Sequence, residues 1–113
     1  MKNNYITSKK FLNSKISFGF FTRTGGYSSK KFFSLNCSSN NEDDITLVNK
    51  NILNAQEKLG LTLKKIKFVN QIHSNKVIMI NNKNFLNKFK ADAIITNNKD
   101  ICIAVLTADC CPI

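Results

Sequence analysis

Only one stretch of this sequence sustains a helical period, which limits the chain to folds that pack a single helix on β-structure. Val48, Ile52, Ala55 and Leu59 recur at i, i+4, i+7 and i+11, the spacing of one helical face. Asp43 and Asp44 stand just before it, where a carboxylate caps free N–H groups and meets the positive end of the helix dipole. Gly60 follows, a residue suited to a left-handed helix end. The pattern predicts a helix over residues 45–59. The other apolar runs are short and rich in β-formers: residues 15–22, 66–69, 76–80, 91–96 and 101–106 read as strands. The last is apolar on both faces, which places it inside a sheet. Residues 1–15 read as polar and irregular with room for a short strand, and 23–29, with Gly25-Gly26, as a loop. Residues 31–37 read as a short extended piece. Residues 81–90 form a polar loop whose Phe85, Leu86 and Phe89 pack down. The fold class is α+β, a mixed β-sheet with a packed helix, in a single domain over residues 1–113.

Composition narrows the function classes. No apolar run approaches the ~20 residues that span a bilayer, and no signal peptide is legible, so the expectation is a cytoplasmic protein without membrane contact. The net charge is +10, yet 16 of the 17 basic residues are lysines scattered along the chain. Nucleic-acid binders cluster arginine and interleave aromatics; here the lysines read as solvated surface, and nucleic acid is not the expected partner. A basic nucleic-acid-binding module stays as the alternative that charge alone favours. The four cysteines, Cys37, Cys102, Cys110 and Cys111, have neither disulfide nor zinc-ribbon spacing and read as free thiols.

The rare residues sit in distinctive strings. His73, the lone histidine, lies in Gln71-Ile72-His73-Ser74, just after a strand. Cys110 follows Asp109 at the end of an apolar strand, a setting for a nucleophile or a metal ligand. Arg23, the lone arginine, precedes Gly25-Gly26; glycines allow close backbone approach, and a guanidinium forks onto phosphate or carboxylate. Each string taken alone also suits a purely structural role.

Taken in order, five segments resemble the YfiH family, also called the laccase-domain, polyphenol oxidase or peptidoglycan-editing-factor family. They are Phe21-Thr22-Arg23-x-Gly25-Gly26-x-Ser28, Phe33-Ser34-Leu35-Asn36, Gln71-Ile72-His73, Ala91-Asp92-Ala93 and Thr107-Ala108-Asp109-Cys110-x-Pro112. Ser74 stands where the family commonly has glycine. The resemblance implies a fold similar to that of a toxin cysteine hydrolase. It also implies a purine nucleoside phosphorylase or adenosine deaminase acting on adenosine, inosine or methylthioadenosine, with phosphate as co-substrate. By the same resemblance His73 and Cys110 are both catalytic and ligands of Zn2+, with a second histidine further on in the family pattern. Arg23, Asn36, Gln71, Asp92 and Asp109 map to substrate binding. Zinc with an open position activates water near neutral pH. Copper is not expected, because multicopper sites need several imidazoles. The family is roughly twice this length, so the C-terminal half of the domain is expected to be missing and this chain inactive. The alternatives within the resemblance are a metal-independent Cys-His hydrolase and an editing factor for peptidoglycan precursors.

Overall fold

A computed structural model of the chain describes residues 4–11 and 15–109. It divides into two compact units, Met1–Thr62 and Leu63–Ile113.

In the first unit, β1 (Tyr5–Ile6) pairs antiparallel with β2 (Phe20–Phe21), Tyr5 opposite Phe21 and Ile6 opposite Phe20. The Tyr5 and Phe21 rings stack with centroids 4.9 Å apart, a cross-strand aromatic pair of the kind that stabilises short ladders. The strand expected over residues 15–22 is confined to its last part, because only that part finds a partner among the described residues. Residues 31–37 are not extended: Lys30–Phe32 form a 3-10 turn, and turns follow it. The local i to i+3 bond from the Phe33 N–H to the Lys30 carbonyl takes the place of a ladder.

The one α-helix among the described residues, α1, covers Ile45–Lys58. The Asp44 carboxylate accepts from the Thr46 N–H at 2.8 Å, the expected N-cap. At the other end Gly60 has φ 68°. The Leu61 N–H reaches the Gln56 carbonyl at 2.8 Å, and the Gly60 N–H the Glu57 carbonyl at 3.0 Å. That pair of bonds is a Schellman motif, which only a left-handed residue at the Gly60 position closes without steric cost. The buried face holds Val48 as expected, and also Asn51 and Gln56, which the apolar period does not announce.

The described strand pairs of the second unit are parallel. β3 (Lys65–Lys67) lies beside β6 (Ile101–Ile103), with Ile66 opposite Cys102. β4 (Val77–Met79) lies beside β5 (Ala93–Ile95), with Ile78 opposite Ile94. A parallel bridge joins Asn70 to Lys90. Each strand is shorter than its apolar run. The described ladders are two-stranded pairs instead of one mixed sheet. The 101–106 run was expected inside a sheet, yet Ile103 and Val105 remain 40% and 41% exposed, because β6 has one ladder partner among the described residues. Ile80, Ala91 and Ile101 form the buried apolar residues of this unit. The 81–90 loop packs around a lysine: buried Lys67 donates to the carbonyls of Phe85 and Asn87 at 2.6 and 2.7 Å. Its ammonium also lies over the Phe85 and Phe89 rings, and burial lowers its pKa. Leu86 does not pack down as expected; it is 89% exposed.

No helix among the described residues is long and apolar enough to cross a membrane.

Candidate functional site

The first unit contains Arg23 and Asn36. Gly26 lies so close to the 34–35 backbone that a Cβ there would stand 2.2 Å from the Ser34 carbonyl oxygen and 2.6 Å from Asn51 Oδ1. Glycine is therefore required at this crossing. Around it the two loop strings are knotted together. The Ser28 N–H donates to the Ser34 carbonyl, and the Ser34 and Leu35 N–H groups both donate to the Arg23 carbonyl. Buried Asn51, from α1, closes the knot: its amide donates to Ser28 Oγ at 2.9 Å and the Asn36 carbonyl at 2.8 Å, and its Oδ1 accepts from the Tyr27 N–H at 2.7 Å.

Asn36 belongs to this network. Its amide donates to Asp43 at 2.9 Å and to Asn41, and its Oδ1 accepts from Ser38 and Asn41. The Asp43 carboxyl, which also accepts from Ser28 Oγ at 2.6 Å, is held below the usual carboxylate range, first by Ser28 and then by Asn36. Arg23 is different. It is exposed, and its Nε donates to the Phe33 carbonyl at 3.3 Å. That bond aims the side chain while the outer edge of the guanidinium stays available to an anion.

The second unit contains Gln71, His73, Asp92 and Asp109. His73 sits at φ 57°, the left-handed region that a histidine enters only when its surroundings impose it. Asp92 imposes it. Its carboxylate accepts from the N–H groups of Ile72, His73 and Ser74 at 3.1, 2.9 and 2.8 Å, and from Ser74 Oγ at 2.6 Å. These bonds, led by the Ser74 hydroxyl, hold the Asp92 pKa below its ordinary value. Gln71 is engaged as well. Its Nε2 donates to the Leu106 carbonyl at 2.9 Å, and its Oε1 accepts from the Leu106 N–H at 2.9 Å. Asp109 is exposed. Cys110 lies outside the described residues.

The structure thus brings Gln71, His73 and Asp92 to one turn and ties that turn to the segment leading into Asp109. The His73 imidazole is exposed, and its ring nitrogens have no hydrogen-bond partner among the described residues. A free imidazole on an immobilised backbone suits one position in a zinc coordination shell. It is one donor of the expected set: among the described residues no three His, Cys, Asp or Glu side chains gather around a common point. The two cysteines described, Cys37 and Cys102, do not offer thiolates. Burial pushes the Cys37 thiol up to about 11 and raises that of Cys102.

Asn51 and Asp43 shape the first loop but were not among the expected site residues. The one sequence signal for Asn51 is its place three residues after Val48, on the apolar side of α1.

Short paired strands with one α-helix among the described residues make this a chain of mixed α and β structure. The chain belongs to the laccase-domain, or YfiH, family: the family model described as multi-copper polyphenol oxidoreductase laccase matches residues 17–113. It is 33% identical over 96 residues to a purine nucleoside phosphorylase of Corynebacterium glutamicum, a match covering 83% of this chain and 39% of that protein. Among solved structures, a Neisseria meningitidis protein of family DUF152 superposes with a TM-score of 0.76 at 29% identity, over 96% of this chain and 43% of that one. YlmD from Geobacillus stearothermophilus superposes with a TM-score of 0.72 at 26% identity, over 81% of this chain and 37% of that one. The chain therefore spans about 40% of the length of the relatives it matches.

Proposed function

We propose that this chain is the N-terminal part of a zinc-dependent purine nucleoside phosphorylase, with adenosine, inosine and methylthioadenosine as its substrate class and adenosine deamination as a second reaction. The observation that carries the reading is the His73 turn, whose N–H groups are held by Asp92 while the exposed imidazole has no hydrogen-bond partner among the described residues. It gains weight from relatives named purine nucleoside phosphorylases in the same family. His73 and Cys110 would hold the zinc together with a donor from the remainder of the domain. Bound there, zinc would polarise an oxygen ligand and supply positive charge to the reacting centre.

Arg23 is the residue of this chain suited to phosphate. Its fork matches two phosphate oxygens, and the Phe33 carbonyl limits its rotation before the anion arrives. In phosphorolysis a phosphate oxygen bonds to the ribose carbon as the bond from that carbon to the purine nitrogen breaks. The electron pair leaves with the base, which takes up a proton. We read zinc in preference to copper because this chain brings one histidine.

The test joins residues 1–113 to the C-terminal portion of YlmD and compares the chimera with the 113-residue chain. The chain alone is expected to bind zinc weakly and to turn over no nucleoside. The chimera should hold one zinc and cleave inosine in the presence of inorganic phosphate. His73→Ala should abolish both properties, and Arg23→Lys should raise the KM for phosphate. A chimera that holds zinc yet leaves inosine and adenosine untouched would sink the proposal.

A further inference from the structure

Gln71 and Asp92 map by resemblance to substrate binding, yet each side chain is bonded to the protein's own backbone. We infer that they are positioning residues: the pair fixes the His73 turn against the segment that runs into Asp109-Cys110. This inference rests on the reading of His73 and Cys110 as zinc ligands given above.

The Gln71 amide both donates to and accepts from the main chain of a single residue, Leu106, at 2.9 Å each way, across 35 positions of sequence. A side-chain amide bonded in this manner copies the ladder bonds of a neighbouring strand. Two such bonds fix separation and orientation together, which one bond cannot do. His73 is two residues beyond Gln71, and Cys110 is four beyond Leu106. One amide therefore couples the two segments that carry the expected ligands. A ribose hydroxyl could reach only the second N–H or the second lone pair of this amide, and the two bonds to Leu106 already fix where those point.

Asp92 fixes the second degree of freedom, the orientation of the turn. Three successive N–H groups converge on a point, forming a nest that ordinarily receives an anion. Here the protein's own carboxylate fills the nest and accepts a fourth bond from Ser74 Oγ. An amide at this position has one acceptor oxygen and would turn an N–H₂ toward the N–H donors. The four bonds offset the left-handed φ of His73. Ser74, which stands where the family commonly has glycine, thus adds a hydroxyl to the cradle. With the turn held from both sides, the imidazole is in place before any metal arrives, and little ordering cost falls on binding.

The experiment uses the 113-residue chain with Co2+ alone as a spectroscopic stand-in for zinc. The wild type should show a thiolate-to-cobalt charge-transfer band with the d–d bands of a mixed nitrogen and sulfur site. Gln71→Leu and Asp92→Asn should weaken Co2+ binding by about 10–100-fold, the range for residues that orient metal ligands, and shift the d–d bands. The Leu106 and His73 amides should lose protection from hydrogen exchange. Gln71→Glu keeps the size and the bond from the Leu106 N–H but cannot donate to the carbonyl, so it should fall between wild type and Gln71→Leu. It also serves as the folded reference if the leucine variant unfolds. Folded variants that lose amide protection yet keep wild-type cobalt affinity and spectrum would overturn the positioning role. So would a Gln71 side-chain NMR signal that shifts on adding inosine. A wild-type chain with no thiolate band would instead count against the zinc reading itself.

Discussion

The Asn51 knot in the first unit and the His73 turn in the second solve the same problem in opposite ways. Both hold an irregular loop with hydrogen bonds from one polar side chain to main-chain groups. In the knot the polar side chains bond one another as well, in a chain that runs from Asn51 through Ser28 and Asp43 to Asn36. In the turn only the backbone, Ser74 and the supporting residues are engaged, and the imidazole is left out. A loop whose side chains satisfy each other is scaffold. A loop whose main chain is satisfied by residues from elsewhere can present a side chain to a ligand.

The largest expected effect lies in the knot. Asn51→Leu strands the Tyr27 N–H and the Asn36 carbonyl near a buried site and leaves Ser28 Oγ with its bond to Asp43 alone. At about 1–3 kcal/mol for each unsatisfied group, the loss should reach about 3 kcal/mol. It would be read as a lower denaturant midpoint at constant m. A loss under about 1 kcal/mol would mean that the apolar contacts of α1, not the knot, hold the loop.

An intermediate effect separates the two carboxylates. Hydrogen bonds hold the folded pKa values of Asp43 and Asp92 below the ordinary aspartate value. Their stabilisation is therefore complete above the unfolded pKa and is lost as pH falls from about 4 through the folded values. Acid unfolding followed by near-UV and far-UV circular dichroism should show this limb. Asp43→Asn and Asp92→Asn should each flatten it. An acid limb unchanged in both variants would remove these hydrogen bonds from the account.

The smallest effect is expected at His73 itself. His73→Asn keeps a residue that tolerates the left-handed region and removes a ring with no hydrogen-bond partner among the described residues. Stability should change by less than about 0.5 kcal/mol. A large loss would show that the imidazole is part of the scaffold and would erase the contrast with Asn51.

Much of the frame was legible in the sequence because it depends on local rules. Helical period, an Asp cap and a following Gly placed α1 to within one residue of its observed end. Apolar runs located β2 to β6 but overstated their length, since a run records β-propensity and burial, whereas a strand requires a hydrogen-bonded neighbour. The Lys30–Phe32 turn was missed because aromatic residues there suggested extension. Arg23, Gln71, His73 and Asp92 stood out by rarity and by resemblance. Their partners did not, because the bonds from Gln71 to Leu106 and from Asp92 to His73 cross 35 and 19 positions and leave no periodic trace. Lys67 was invisible for a simpler reason: among 16 lysines, nothing in its neighbours distinguishes a buried one.

That lysine has a consequence of its own. Two carbonyl oxygens within 2.7 Å and two aromatic faces make the kind of hollow in which a monovalent cation would settle. Here the cation is covalently leashed to β3, so it cannot dissociate and no change in ionic strength can empty the hollow. The 85–89 loop thus has a counterpart of a structural ion whose occupancy is permanent, and whose amine is screened from acylating reagents that would reach the exposed lysines first.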